Sequence, residues 1–148
     1  MNSHPYLRAF FAGAFVPTLL LPIMLIAFVI LRFGLQIPIP IERGLVYPMA
    51  LVPSLWALWN MLWVRSHART QLPIGLHGAI LPFVLLPAGA SLATCLGILV
   101  LGRQEVTWFN AFSLPYAWIA AGFACALAAY YLVWKYIVGY LNRMLGIA

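Results

Sequence analysis

Aspartate is missing from these 148 residues, and the only acids are Glu42 and Glu105. Charged residues make up 7% of the chain and hydrophobic ones 66%, whereas soluble domains carry about a quarter charged. A soluble surface needs interspersed charges of both signs. That excludes a soluble globular domain and leaves the bilayer as the solvent. The same scarcity removes most carboxylate chemistry. Proton- or ion-coupled transport through a buried acid, and nucleophilic catalysis oriented by an acid, both lack the residues they need.

Cysteine is nearly as scarce. Cys95 and Cys125 lie inside apolar stretches with no Cys-x-x-Cys or paired-His spacing, so neither a disulfide framework nor a metal site is expected. Phosphate- and dinucleotide-binding loops, HExxH and GxSxG are all absent. No cofactor is expected. The net charge of +6 comes from scattered Lys and Arg near the ends of apolar stretches. It reads as membrane anchoring, with no nucleic-acid partner.

What is present is length without charge. Four stretches, Phe10–Leu31, Gly44–Val64, Leu76–Leu101 and Ala111–Trp134, contain no Asp, Glu, Lys or Arg. Each exceeds the roughly 20 residues that carry a helix across about 30 Å of hydrocarbon. The expected fold is an all-α, four-transmembrane-helix bundle forming a single domain over residues 1–148, with helices at about 10–32, 44–64, 76–101 and 111–138.

Basic residues in short loops set orientation. Arg8, Arg65, Arg69, Lys135 and Arg143 fall on one side, while Arg32, Arg43 and Arg103 share the other with both glutamates. The bias places both termini in the cytoplasm, and the expected location is a bacterial inner (plasma) membrane. Trp and Tyr clusters at the span ends fit the headgroup level.

Small residues recur every four positions in the third and fourth spans: Gly89, Ala93 and Gly97, then Ala120, Ala124 and Ala128. Such stripes let helix backbones approach closely in lipid and are read as the packing face. The first two spans are bulkier and are expected to face more lipid.

Gly-x-x-x-Pro-x-x-x-x-Pro occurs three times, at Gly13–Pro22, Gly44–Pro53 and Gly78–Pro87, with a degenerate fourth copy around Pro115. Each first proline clashes with the carbonyl four residues back, and a glycine stands there. The second prolines, Pro22, Pro53 and Pro87, are interior and predict helix kinks. Read as helix pairs, the spacing predicts two similar hairpins.

Few polar residues remain. Thr18, Asn60 and His77 form a candidate polar pocket toward the cytoplasmic side. Arg32, Glu42 and Arg43 form an outer-side charge cluster, with Glu42 placed to cap or pair. No catalytic residue is assigned. The leading functional expectation is a non-catalytic membrane protein acting through helix packing, as a homo-oligomer or a subunit of a larger membrane complex. The alternatives are a small transporter or channel for a neutral or apolar solute, and a lipid-modifying membrane enzyme using His77.

Overall fold

A computed structural model describes residues 4–36 and 42–147 of the chain. Four long helices dominate. Helix α1 is Pro5–Val29, continued by a π-helical turn at Ile30–Gly34. A second π-turn, Glu42–Val46, leads into α2, Tyr47–Thr70. Helix α3 is Ile74–Cys95. Helix α4, Tyr116–Leu132, runs through a π-turn at Val133–Val138 into the short α5, Gly139–Met144. The Ile-Pro-Ile-Pro-Ile linker lies outside the described residues.

Three of these segments are long and apolar enough to cross a membrane: Pro5–Gly34, Ile74–Cys95 and Tyr116–Met144. The protein is therefore a mostly helical integral membrane protein. Helix α2 is 24 residues long but is not among the three, because its prolines, tryptophans and Asn60 dilute its apolar content. It also runs beyond the expected end at 64, carrying Arg65 and Arg69 on its last turns before Gln71 adopts a left-handed conformation (φ 49°).

Between α3 and α4 the chain departs from the all-helical expectation. Strands β1 (Leu99–Leu101), β2 (Glu105–Trp108) and β3 (Phe112–Pro115) form an antiparallel sheet in the order β1-β2-β3. Leu101 pairs with Val106 and Trp108 with Phe112. The third span was expected to run to 101 and the fourth to begin at 111, and both ends are strand instead.

The cause is local. Gly97 has φ +68°, the backbone form that terminates helices at no steric cost to glycine. Its N–H donates to the Thr94 carbonyl, and the Ile98 N–H donates to the Ala93 carbonyl at 2.8 Å, which together close a Schellman cap. Gly97 is thus a helix terminator and not part of a packing stripe. Pro115 (φ −57°, ψ 144°) directly precedes α4 as an extended residue; it ends an edge strand, where a missing N–H is tolerated.

Helix α1 packs on α2 and α3 on α4, and α5 returns to α1. The buried residues concentrate at one end. Ala9, Ala12, Gly13 and Pro17 of α1 are buried, as are Trp56, Ala57, Asn60 and Trp63 of α2. Gly75, His77, Gly78, Leu81 and Pro82 of α3 join them, with Trp134, Val138, Gly139 and Asn142 from the last segment. A core cluster of Trp56, Leu81, Trp134 and Val138 holds the two helix pairs together. At the opposite end α1, α3 and α4 leave Leu19, Ile23, Leu86, Leu92 and Trp118 exposed.

A close backbone approach lies where bulk was expected. A Cβ on Gly13 would stand 2.6 Å from the Trp56 carbonyl and 2.9 Å from Ala57 Cα, so α1 and α2 meet backbone to backbone. A Cβ on Gly78 would collide with the Trp134 side chain at its Cβ and ring. The glycines four residues before Pro17 and Pro82 thus give their space to a neighbouring helix. Small residues at 9, 12 and 13, spaced as one helix face, were the overlooked signal.

Candidate functional site: the buried polar core

Three buried polar side chains and the half-buried Trp59 meet at this packed end, in two reciprocal pairs. Asn60 and Asn142 are both fully buried. Asn60 Nδ2 donates to Asn142 Oδ1 at 2.9 Å, and Asn142 Nδ2 donates back to Asn60 Oδ1 at 3.0 Å. The second N–H of Asn60 reaches the Ala9 carbonyl at 2.8 Å. One amide pair therefore ties α1, α2 and α5 together across 82 positions of sequence. In hydrocarbon an unpaired amide is costly, and each of these supplies what the other lacks.

The second pair couples α2 to α3. The Trp59 indole N–H donates to the His77 carbonyl at 2.9 Å, and His77 Nε2 lies 2.9 Å from the Trp59 carbonyl. A carbonyl only accepts, so Nε2 carries the proton. The two rings stack with centroids 4.8 Å apart and 26° between planes. Trp134 also meets the imidazole in an edge-type arrangement, with centroids 5.9 Å apart and 65° between planes.

Beyond His77 the aromatic layer continues. Trp56 lies 5.0 Å from Tyr130 and 5.5 Å from Trp134, centroid to centroid. Further out, Trp63 Nε1 donates to the Leu72 carbonyl at 3.1 Å and latches the α2–α3 turn. Arg8 Nη1 reaches the Leu145 carbonyl at 3.1 Å, joining the two ends of the described chain.

The structure brings only part of the sequence-derived pocket together. Asn60 and His77 are both buried in the packed end, and His77 bonds to Trp59, the neighbour of Asn60 in sequence. Thr18 is exposed, and its hydroxyl is turned back on the Ala14 carbonyl at 2.7 Å. This is the usual satisfaction of a lone hydroxyl in an apolar helix. Asn142 and Trp59 complete the polar core and were not singled out from the sequence. Asn142 sits past the last apolar stretch, where a polar residue reads as loop, and only the continuation of the helix to Met144 turns it inward.

The remaining assigned residues lie elsewhere. Arg32 stands in the π-turn after α1, and Glu42 and Arg43 in the one that leads into α2. Glu42 is half-buried, with Oε2 lacking a hydrogen-bond partner among the described residues. Pro22 and Pro87 are exposed, whereas Pro17 and Pro82 are buried. Gly89, Ala120, Ala124 and Ala128 are exposed and Ala93 is half-buried; nothing lies within 4 Å of a Cβ placed on Gly89. Helix α4 instead turns Phe123 toward α3, where it meets Phe83 edge-on at 5.0 Å.

No group of three or more potential metal ligands exists among the described residues. No protein-family model, curated protein or solved structure matches the chain.

Proposed function

We propose that the protein is a non-catalytic membrane component that works by helix packing, as a homo-oligomer or as a subunit of a larger membrane complex. The observation that carries this is the alanine stripe of α4. Ala117, Ala120, Ala121, Ala124 and Ala128 share one face of the helix, and every one is exposed in the single chain. Within the chain α4 packs by its bulky face, so the face suited to close helix approach is left for a second protein. The buried polar groups support the same reading. Asn60, Asn142, Trp59 and His77 are spent on one another, and the burial of His77 leaves its imidazole a structural link.

Ala124→Leu tests this. Overpacking a close helix interface costs about 1–3 kcal/mol, which corresponds to a roughly 5- to 150-fold weaker assembly. The molar mass of the protein–detergent complex, measured by light scattering during size exclusion, is expected to fall toward the monomer. Gly122→Ala, on a different face of α4 with nothing within 4 Å of its Cβ, should leave it unchanged. A wild-type chain that is strictly monomeric with no co-purifying partner would sink the proposal.

The membrane arrangement completes this reading. Four spans are proposed, with α2 crossing inside the bundle where α1 and α3 cover its polar side. Both termini and the α2–α3 turn are proposed to face the cytoplasm of a bacterial inner membrane. The acid-free set Arg8, Arg65, Arg69, Lys135 and Arg143 supports this, standing opposite the sheet that bears Glu105. The proline spacing supports two related hairpins, α1–α2 and α3–α4, bent near Pro22, Pro53 and Pro87. Their contacts differ: Gly13 meets Trp56, eight residues beyond Pro48, whereas Gly78 meets Trp134, nineteen beyond Pro115. The repeat therefore concerns proline positions and not packing partners. Cysteines placed at the exposed His67 and Gln104 should be labelled from opposite sides of the membrane. Labelling of both from one side would require an even number of spans between them, where the proposal has only α3, and would overturn the four-helix topology.

A further inference from the structure

A shallow cleft opens on the outer surface where the first turn of α1 meets the last turns of α2. It is lined by Tyr6, Leu58, Met61, Leu62 and Arg65. The α2 residues are spaced i, i+3, i+4 and i+7, so they form one continuous stripe. That stripe changes character along its length. It runs for about 10 Å, at 1.5 Å per residue, apolar from Leu58 to Leu62 and ending at the Arg65 guanidinium. Tyr6, from α1, lines the same cleft and carries a phenol O–H.

Arg65 makes no hydrogen bond or ion pair with another described residue. The chain's only acids, Glu42 and Glu105, belong to the far end of the molecule. Arg69, Lys135 and Arg143 are exposed at this same end, so its field is uniformly positive. The guanidinium fork matches a phosphate in a bidentate way, and a tyrosine hydroxyl at headgroup level adds a third donor. An apolar channel leading to such a mouth has the polarity of a lipid, with its chain along Leu58, Met61 and Leu62 and its headgroup at Arg65.

We propose that this cleft is a binding site for one anionic phospholipid, whose phosphate is held by Arg65 and Tyr6 and whose acyl chain lies along the α2 stripe. The site is independent of the oligomer reading, because it lies on α1 and α2 and not on the α4 stripe.

Native mass spectrometry of the detergent-purified chain, titrated with phosphatidylglycerol or phosphatidylcholine, reads the site directly. The wild type is expected to retain one phosphatidylglycerol in preference to phosphatidylcholine. Arg65→Gln should weaken that retention about tenfold, the effect of losing one charge-assisted phosphate contact of ordinary strength. Arg143→Gln removes the same charge from the same end outside the cleft and should retain the lipid as the wild type does. Both positions are exposed, and unchanged thermal unfolding without lipid will establish that each variant is folded. Equal losses in the two variants would mean that only the general positive field attracts lipid, and the site would be rejected. Displacement of the lipid by equimolar inorganic phosphate would also overturn it, since the acyl chain would then contribute nothing.

Discussion

Gly78→Ala is expected to be the most damaging single-methyl change in this chain. The added Cβ falls onto Trp134, meeting its Cβ, Cγ and Cδ1. Contact at a Cβ cannot be relieved by turning the ring, because that atom is fixed to the backbone. Helix α3 and the last helical segment must therefore move apart, and Trp134 is fully buried at the centre of the core cluster. Overpacking of this kind costs about 1–3 kcal/mol or more. The helix-propensity gain of alanine over glycine, about 0.5–1 kcal/mol, offsets only part of it. Moving α3 also disturbs the stacked His77 and its bond to Trp59. Thermal unfolding in detergent should show a clear fall for Gly78→Ala, and a neutral or slightly raised midpoint for Gly122→Ala, where the space is open. If the two alanine variants melt together, Gly78 is not a point of close approach.

Asn60→Leu is expected to have the next largest effect. Leucine leaves Asn142 with an amide buried and unanswered, and leaves the Ala9 carbonyl without its side-chain donor. A buried polar group deprived of its partner costs about 1–3 kcal/mol, whereas the net worth of an interhelical hydrogen bond in membrane proteins averages only about 0.6 kcal/mol. The two magnitudes separate the hypotheses. Asn142→Leu should also destabilise, though less than Asn60→Leu because Asn60 keeps its bond to the Ala9 carbonyl, while the double variant should lose less than the sum, because no orphaned side-chain amide remains. A double-mutant cycle on detergent unfolding midpoints measures this directly. Strict additivity would show that the two amides are not coupled. Because Asn142 belongs to α5, the single variants should also raise protease sensitivity near Arg143, and unchanged cleavage would show that the pair does not hold α5 down.

Much of the fold was legible from composition alone. The absence of Asp, the two glutamates and the long uncharged runs leave no solvent but lipid, and in lipid only helices or closed barrels satisfy the backbone. That reasoning reached the three helices that are long and apolar enough to span through their uncharged cores, and located α2 as a helix of its own. It placed the span boundaries less well, because charge marks where a helix leaves hydrocarbon and not where its hydrogen bonding stops. Helix α2 continues through Arg65 and Arg69, and the last segment continues through Lys135 and Arg143. The sheet was hidden for the opposite reason. Residues 99–101 and 112–115 are as apolar as the helices beside them, so hydropathy could not separate them. The information lay in Gly97 and Pro115, both first read as members of helix patterns.

What the sequence by itself determined is the solvent, the helical class and the poverty of chemistry, since each follows from which residue types are present at all. Tertiary structure decided which small residues are close contacts and which are exposed. Gly13 and Gly78 are buried against Trp56 and Trp134, while Ala120, Ala124 and Ala128 face outward, though all share the same four-residue spacing. Spacing fixes which residues lie on one face of a helix. Which face meets a neighbour depends on the rotation of that helix against partners distant in the chain, and here the faces turned inward are those that bury Trp134 and the Asn60–Asn142 pair.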